Sequence, residues 1–317
     1  MAKNITKAVL CGILNVDKPP GMTSHDVVAS IRKMARQRKV GHAGTLDPMA
    51  TGVLLVCLGQ ATRVSEYLMR SHKVYRATVR LGISTTTDDA EGEVTAQAEV
   101  RVTREQVERA LSQFLGRIDQ VPPKYSAVKR DGKRLYELAR QGIEVEVPAR
   151  KVDIAELRVT GWALPEVQLE VHCGPGTYVR ALARDLGDAL GCGAHLAALR
   201  RVSSGSFAAS DAVTLQDLSE AFAKGTVEQH LYPLDIAFRH LPALCLDPAT
   251  ARRLAMGQAV QGDISGAATG TGGLARAYTR DSRFIALVYR DEQSDAWRPR
   301  KVFAEPEQIG PSNSTDI

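Results

Sequence analysis

Residues 39–59 read KVGHAGTLDPMATGVLLVCLG. The second half, VLLVCLG over 53–59, is a continuous apolar run, the pattern of a strand buried on both faces. The first half reads as a loop in which Gly41, Gly44 and Gly52 surround Asp47, with Pro48 directly after it. An Asp-Pro pair among glycines is most often a turn. This loop, however, is wedged between a helix with a basic end and a central strand, so it is rigidly placed. Its glycines also allow another molecule's backbone to approach closely.

Upstream, GILNVDKPPG (12–21) is a short strand running into a Pro-Gly turn. Thr23 or Ser24 then caps a helix with Val27, Val28, Ile31, Met34 and Ala35 as its apolar stripe. Arg32, Lys33, Arg36, Arg38 and Lys39 gather at its end, where the helix dipole favours cations. Downstream, KVYRATVRLG (73–82) alternates, with Tyr75, Ala77, Val79 and Leu81 on one face of a half-buried strand. TTTDDAEGE (85–93) is an acidic loop. TREQVERALSQFLG (103–116) is a helix opened by a Thr103–Gln106 capping box and stopped by Gly116. PPKYSAVKRDGKRLYELARQG (122–142) opens as a basic, turn-rich segment and closes in a short helix. RKVDIAELRVTGW and EVQLEVHCG alternate like two antiparallel strands, and TYVRALARDLGDALG (177–191) is a helix with a glycine stop. These elements predict an α+β domain with a mixed, largely antiparallel sheet over residues 1–240.

Near residue 240 the character changes. HLPALCLDPATARRLAMGQAV reads as a loop and a short helix, GAATGTGG as a flexible turn, and FIALVYR and RPRKVFA as two strands. A small β module is expected over 241–305, with a disordered tail over 306–317.

The bulk numbers are those of an ordinary globular chain: 317 residues, 44% hydrophobic and 24% charged. No apolar run approaches the ~20 residues of a membrane span. The opening MAKNITKAVLCGILNV is too short in its apolar part for a signal peptide, so a cytoplasmic location is expected. Cys11, Cys57, Cys173, Cys192 and Cys245 are scattered, which fits reduced thiols. Net charge is +5. A second basic cluster, Lys124, Lys129, Arg130, Lys133 and Arg134, stands against Asp131 alone. Two such clusters suit a polyanion, although a solvated helix face has the same composition. There is no phosphate-binding G-x-x-x-x-G-K-[ST], no H-E-x-x-H, no zinc spacing and no G-x-S-x-G. GPGTYV (174–179) lacks the third glycine of a dinucleotide loop, and Pro175 removes a backbone donor. Taken singly, His42, Tyr75, Tyr178 and Arg180 are each more often structural than functional. Together the residues alone reach a carboxylate, an arginine, two tyrosines and basic patches, the ingredients of an RNA site.

Five stretches go further: GILNVDKPPGMTSHDVV, KVGHAGTLDPMATGVLLVCLGQATR, KVYRATVRLGISTTTDDAEG, VPPKYSAVKRDGKRLYELARQG and CGPGTYVRALARDLG. In this order they closely resemble the bacterial tRNA pseudouridine(55) synthase family, from about residue 12 to 210. The resemblance implies the pseudouridine synthase fold and a C-terminal module of the RNA-binding PUA type, the latter resting mainly on ARRLAMGQAV and RKVFAEP. It implies isomerisation of one uridine in the T-loop of tRNA, the glycosidic bond moving from N1 to C5 without metal or organic cofactor. Carried onto this sequence, Asp47 in G-x-L-D-P is the catalytic aspartate and Arg180 its ion-pair partner. Tyr75 in K-x-Y stacks on the target base, with Tyr178 beside Arg180. His42 fills the space left by flipped bases, and Leu199 lines the uracil pocket. Lys18 and Pro19 form a supporting Lys-Pro motif, and residues around 122–150 are a mobile thumb over the RNA. One departure is GTLDP where many members have GALDP.

The chemistry fits these residue types. Asp47 must be ionised in a desolvated pocket, and burial alone would raise its pKa, so a cation such as Arg180 is needed. Flipping a base costs a few kcal/mol and stacking on one aromatic returns roughly 1–3 kcal/mol, so His42 and the basic clusters must supply the rest. Two rivals share the motifs: a tRNA-folding module in which catalysis is secondary, and a guide-RNA-dependent synthase. The thumb-like segment and small C-terminal module favour a stand-alone monomer acting on the tRNA T-arm, without guide RNA or obligate protein partner.

Overall fold

The computed structural model describes residues 9–125, 129–130, 133–134, 147–261, 264–265 and 273–309. The chain divides into two units between Leu231 and Tyr232. In the first unit, β1 (Gly12–Lys18), β2 (Val40–Ala43), β3 (Thr51–Leu58), β4 (Lys73–Leu81), β5 (Gly116–Gln120), β6 (Arg150–Ala163), β7 (Glu166–Cys173) and β8 (Ala194–Ser204) belong to one eleven-stranded sheet. Its main path runs from the short strand Val213–Thr214 through β1, β3, β8, β4, β7 and β6 to β5. The pairs of β1 with Val213–Thr214 and of β3 with β8 are parallel, whereas β1 with β3 and the path from β8 to β5 are antiparallel. The sheet is therefore mixed and largely antiparallel, as the sequence predicts.

The apolar run at 53–59 becomes the central strand β3 because both its faces are covered. Leu54, Val56 and Leu58 join the main core with Val27, Val28 and Ile31 of α1 (Ser24–Ala35). Val53, Leu55 and Cys57 are equally buried on the alternate face. Each fully buried aliphatic of α1 contributes about 1.5–3 kcal/mol. Thr23 is the cap of α1, in a reciprocal capping box with Asp26.

One edge of β3 is shared. β2 covers Leu55–Leu58, and β8 pairs in parallel with Thr51 and Gly52. The chain between β2 and β3 emerges at the gap between these two neighbours. The quoted segment is thus not one loop. Val40–Ala43 is a strand, placing His42 opposite Val56, and the loop proper is 44–50. A four-residue strand is too short for its alternation to stand out in sequence.

The helix α2 (Arg104–Leu111) carries the expected Thr103–Gln106 capping box, and its last turn passes into a 3-10 turn at Ser112–Phe114 before Gly116. The helix α3 (Val179–Leu190) stops at Gly191 in the left-handed conformation. It lies hard against the start of β8: a Cβ at Gly187 would come 2.1 Å from the nitrogen of Ala194. Of the predicted thumb, Lys129–Arg130 and Lys133–Arg134 form a short antiparallel pair. Much of it, including the expected short helix, lies outside the described residues, as does most of GAATGTGG.

The second unit has its own core around Leu244, Ile285, Val288 and Trp297. Its sheet runs Ile264–Ser265, Ala243–Leu246, Leu274–Thr279, Phe284–Asp291 and Ala296–Val302. Ala243–Leu246 is a strand where the sequence suggested a loop, because alternate residues, Leu244 and Leu246, enter that core. The helix Pro248–Ala255 is capped by Asp247, whose Oδ1 accepts from the amides of Ala249 and Thr250. Of the expected tail, Pro306–Gln308 is a 3-10 turn and Ile309 packs into the core. Residues 310–317 lie outside the described residues.

Candidate active site

The loop 44–50 is held from three sides. Ser24, the first residue of α1, donates through Oγ to the Leu46 carbonyl (3.1 Å) and accepts from the Leu46 amide (2.9 Å). Lys18, at the end of β1, is fully buried and donates through Nζ to the carbonyls of Pro19 (2.9 Å) and Pro48 (3.0 Å). Burial lowers its pKa, with nearby Asp47 opposing that. The Lys-Pro motif therefore supports the loop from below. The third support is Arg201 on β8, which donates to the carbonyls of Gly44 (3.2 Å) and Thr45 (2.8 Å) at the loop's start and of Val53 (3.1 Å) beyond its end. Backbone carbonyls so engaged leave the loop little freedom.

Asp47 projects from this scaffold toward α3. Arg180 on the first turn of α3 donates from Nη2 to Asp47 Oδ1 (3.1 Å), and its Nε lies 3.0 Å from Oδ2. The second contact is an ion pair rather than an aligned hydrogen bond. Arg180 is buried, whereas a third of the Asp47 side chain, 33%, stays exposed. That combination describes a carboxylate gripped from behind and open to solvent in front. Burial pushes the Asp47 pKa above its ordinary value; the Arg180 charge opposes this, and the nearby Asp89 adds to the rise.

Asp89 is a residue the sequence reading did not single out. It is 3% exposed, and its Oδ2 accepts from Arg180 Nη1 at 3.2 Å. Its Oδ1 accepts from the Thr87 hydroxyl and from the Glu91 amide. Arg180 also donates to the carbonyls of Thr87 (3.1 Å) and Tyr125 (3.0 Å). One guanidinium thus bridges a partly exposed carboxylate and a buried one. Arg184, one turn later, donates to Asp88 (3.0 Å) and fastens the same acidic loop to α3. The sequence signal was present as an Asp pair in a threonine-rich turn. Its burial comes from the backbone of 88–90 pairing with Leu196 of β8, which no local pattern reveals.

Tyr75 lies directly opposite Arg201 in the β4–β8 register. It is 7% exposed, and its hydroxyl accepts from Arg201 Nε at 3.2 Å. Burial pushes the phenol pKa up, against the Arg201 charge. Leu199, two residues before Arg201, is buried in the same core cluster. Tyr178 is the residue before α3; its amide and carbonyl are clasped by the buried Gln120 side chain at 2.9 and 3.0 Å. The structure therefore joins Asp47 to Arg180 directly, and joins Tyr75 to the Asp47 loop through Arg201. Among the described residues, no group of three or more His, Cys, Asp or Glu is arranged to hold a metal ion.

His42 stands on β2, edge-on to His25 with ring centroids 5.3 Å apart. Its Nδ1 is buried without a hydrogen-bond partner. Burial, then the neighbouring His25 and Arg201, lower its pKa to about 4, so the ring is neutral at pH 7. The basic residues Arg32, Lys33, Arg36, Arg38 and Lys39 are exposed just before this strand.

Comparison with known proteins assigns the class. Residues 32–179 match the model of the TruB family pseudouridylate synthase N-terminal domain. Residues 180–239 match the tRNA pseudouridylate synthase B C-terminal domain; the five-stranded sheet lies beyond that match. tRNA pseudouridine synthase B of Dehalococcoides mccartyi is 45% identical over 93% of this chain and 97% of its own length. The protein of that name from Gloeobacter violaceus is 49% identical over 81% and 88%. Among solved structures, a chain of a Cbf5-Nop10-Gar1 complex superposes with a TM-score of 0.74 at 30% identity, covering 95% of this chain and 87% of that one. The chain belongs to the TruB family of pseudouridylate synthases.

Proposed function

We propose that this protein converts a uridine in the T-loop of tRNA, position 55, to pseudouridine, with Asp47 as the catalytic carboxylate. The substrate reading is supported by the tRNA pseudouridine synthase B relatives at 42–49% identity. The observation that carries the assignment of Asp47 is its pairing: a partly exposed carboxylate, on a loop braced at three points, held by the buried Arg180.

The reaction breaks the C1′–N1 bond, forms C1′–C5, and moves the C5 proton to N1. Asp47 starts it by attacking C1′ or C6, or by removing the C2′ proton. Every route needs the ionised carboxylate, and Arg180 supplies the opposing charge in a site where burial disfavours ionisation. Tyr75 and Leu199 line the pocket for the detached uracil, with Tyr178 at its rim. His42, a neutral ring on the short strand β2, occupies the space vacated by the flipped base. The exposed cations at 32–39 bind the backbone phosphates. The second unit is a PUA-like RNA-binding module. The protein works as a cytoplasmic monomer without guide RNA, and no helix among the described residues is long and apolar enough to cross a membrane.

The decisive experiment is Asp47→Asn, assayed for pseudouridine on a bare T-arm stem-loop and, separately, for RNA binding. The expected result is no product with binding retained. Near-normal turnover would refute the assignment of Asp47, and wild-type inactivity on a bare stem-loop would refute the stand-alone reading.

A further inference from the structure

We propose that Arg201 is a positioning residue of this active site, a single buried guanidinium that sets Tyr75 and the Asp47 loop in register with each other. The inference rests on Asp47 and Tyr75 being working residues, as proposed above.

Arg201 sits where three strands meet. Its backbone pairs in parallel with Gly52 of β3 on one side and antiparallel with Tyr75 of β4 on the other. It is 2% exposed. Its side chain lies over the Tyr75 ring, Cζ 5.5 Å from the centroid. Four donor contacts leave it: Nε to the Tyr75 hydroxyl at 3.2 Å, Nη1 to the Gly44 and Val53 carbonyls at 3.2 and 3.1 Å, and Nη2 to the Thr45 carbonyl at 2.8 Å. These carbonyls flank the loop bearing Asp47 on both sides.

Burying a cation is costly unless it is compensated. Arg201 donates to neutral oxygens, and none of the ion pairs among the described residues includes it. Elsewhere in the same core, Lys18 and Lys73 also end on backbone carbonyls. Those are point donors, each to two carbonyls. Arg201 uses the planar fork of its guanidinium to hold a side chain and three carbonyls at once, which an ammonium cannot reproduce. Because the Tyr75 oxygen accepts from Nε, the phenol's own hydrogen is directed away from Arg201. The link therefore fixes the phenol's orientation and the loop's position together. Gly52 makes this possible: a Cβ there would fall 2.2 Å from the Arg201 carbonyl oxygen.

The test is Arg201→Lys, which keeps the charge and loses the fork. Single-turnover pseudouridine formation is measured with saturating T-arm stem-loop, and Kd is measured separately. The expected result is a rate loss of at least roughly 30-fold with Kd within about threefold of wild type. Adding Tyr75→Phe to that variant should cost less than about threefold more, although Tyr75→Phe alone costs much more, because both changes break one link. A residue that only stabilised the fold would lower the melting temperature and leave the folded enzyme's rate unchanged. Wild-type rate in folded Arg201→Lys, or additive losses in the double variant, overturns the proposal. If Arg201→Lys does not fold, the Tyr75→Phe variant decides: the amide resonances of Gly44 and Thr45 must move in its NMR spectrum, and unmoved resonances overturn the link. Turnover by Asp47→Asn would instead sink the proposed function, a result distinguishable from failure of Arg201 alone.

Discussion

Replacing Arg180 by methionine removes the cation between Asp47 and Asp89 while keeping an apolar stem of similar reach. In the folded protein the Asp47 pKa already lies above the ordinary carboxylate value, because burial and Asp89 outweigh Arg180. Activity that needs ionised Asp47 is present above this pKa and lost as pH falls through it. Without Arg180 the main opposing influence goes, only the smaller one of Arg201 remains, and the raising ones stay, so the acid limb must move to higher pH. At the observed 3.1 Å contact, Coulomb's law with an effective dielectric of about 20 gives about 5 kcal/mol. A third of the Asp47 side chain meets water, so the figure shrinks to roughly 1–3 kcal/mol. At 1.36 kcal/mol per pH unit, that is a displacement of about one to two units. The buried Asp89 also loses its cation while keeping Thr87 and the Glu91 amide, a stability cost of about 3 kcal/mol. The assay is the single-turnover rate of pseudouridine formation against pH, run below the melting temperature of the variant. The plateau will fall too, but the position of the limb is diagnostic. An acid limb that overlays the wild type would show that Arg180 does not keep Asp47 ionised.

Gly52→Ala should be severely destabilising, because φ is +95° and the new Cβ would meet the Arg201 carbonyl oxygen at 2.2 Å. A loss above about 3 kcal/mol is expected, lowering the melting temperature by roughly 6 °C or more; a change under about 1 °C would refute the packing argument. His42 titrates at about 4 in the fold against an ordinary 6.5, so the folded state favours the neutral ring. Its stability contribution is then complete above 6.5 and is lost as pH falls from 6.5 toward 4. His42→Gln should flatten the fall in melting temperature across that window, and identical slopes in both proteins would contradict the burial of the ring.

Much was legible in the chain because its information is local. VLLVCLG declared a strand covered on both faces. The alternation from Lys73 to Leu81 assigned Tyr75 to the inner face, and the burial pattern follows it. The Thr103–Gln106 capping box formed where the sequence put it, and of Thr23 and Ser24 it is Thr23 that caps α1. Asp47, Tyr75 and Arg180 were named from short motifs, and the fold brings Arg180 onto Asp47 across 133 residues. Val40–Ala43 looked like loop because a four-residue strand shows no period, and Ala243–Leu246 likewise. Asp89 and Arg201 look ordinary in their own segments, an acid in an acidic loop and an arginine among arginines, and Ser24 shows in sequence only as an alternative cap, not as the brace of Leu46.

What the sequence determined by itself was most of the elements, their inner faces and the residue types of the site: a carboxylate, an arginine and two tyrosines. What only the tertiary structure decided was who holds whom. Register placed Arg201 opposite both Gly52 and Tyr75, and the 88–90 backbone's pairing with Leu196 buried Asp89 against Arg180. The physical reason is range. Propensity, periodicity and capping act within a few residues, whereas charge compensation and carbonyl clamping act between strands distant in sequence and become visible once the sheet has chosen its order.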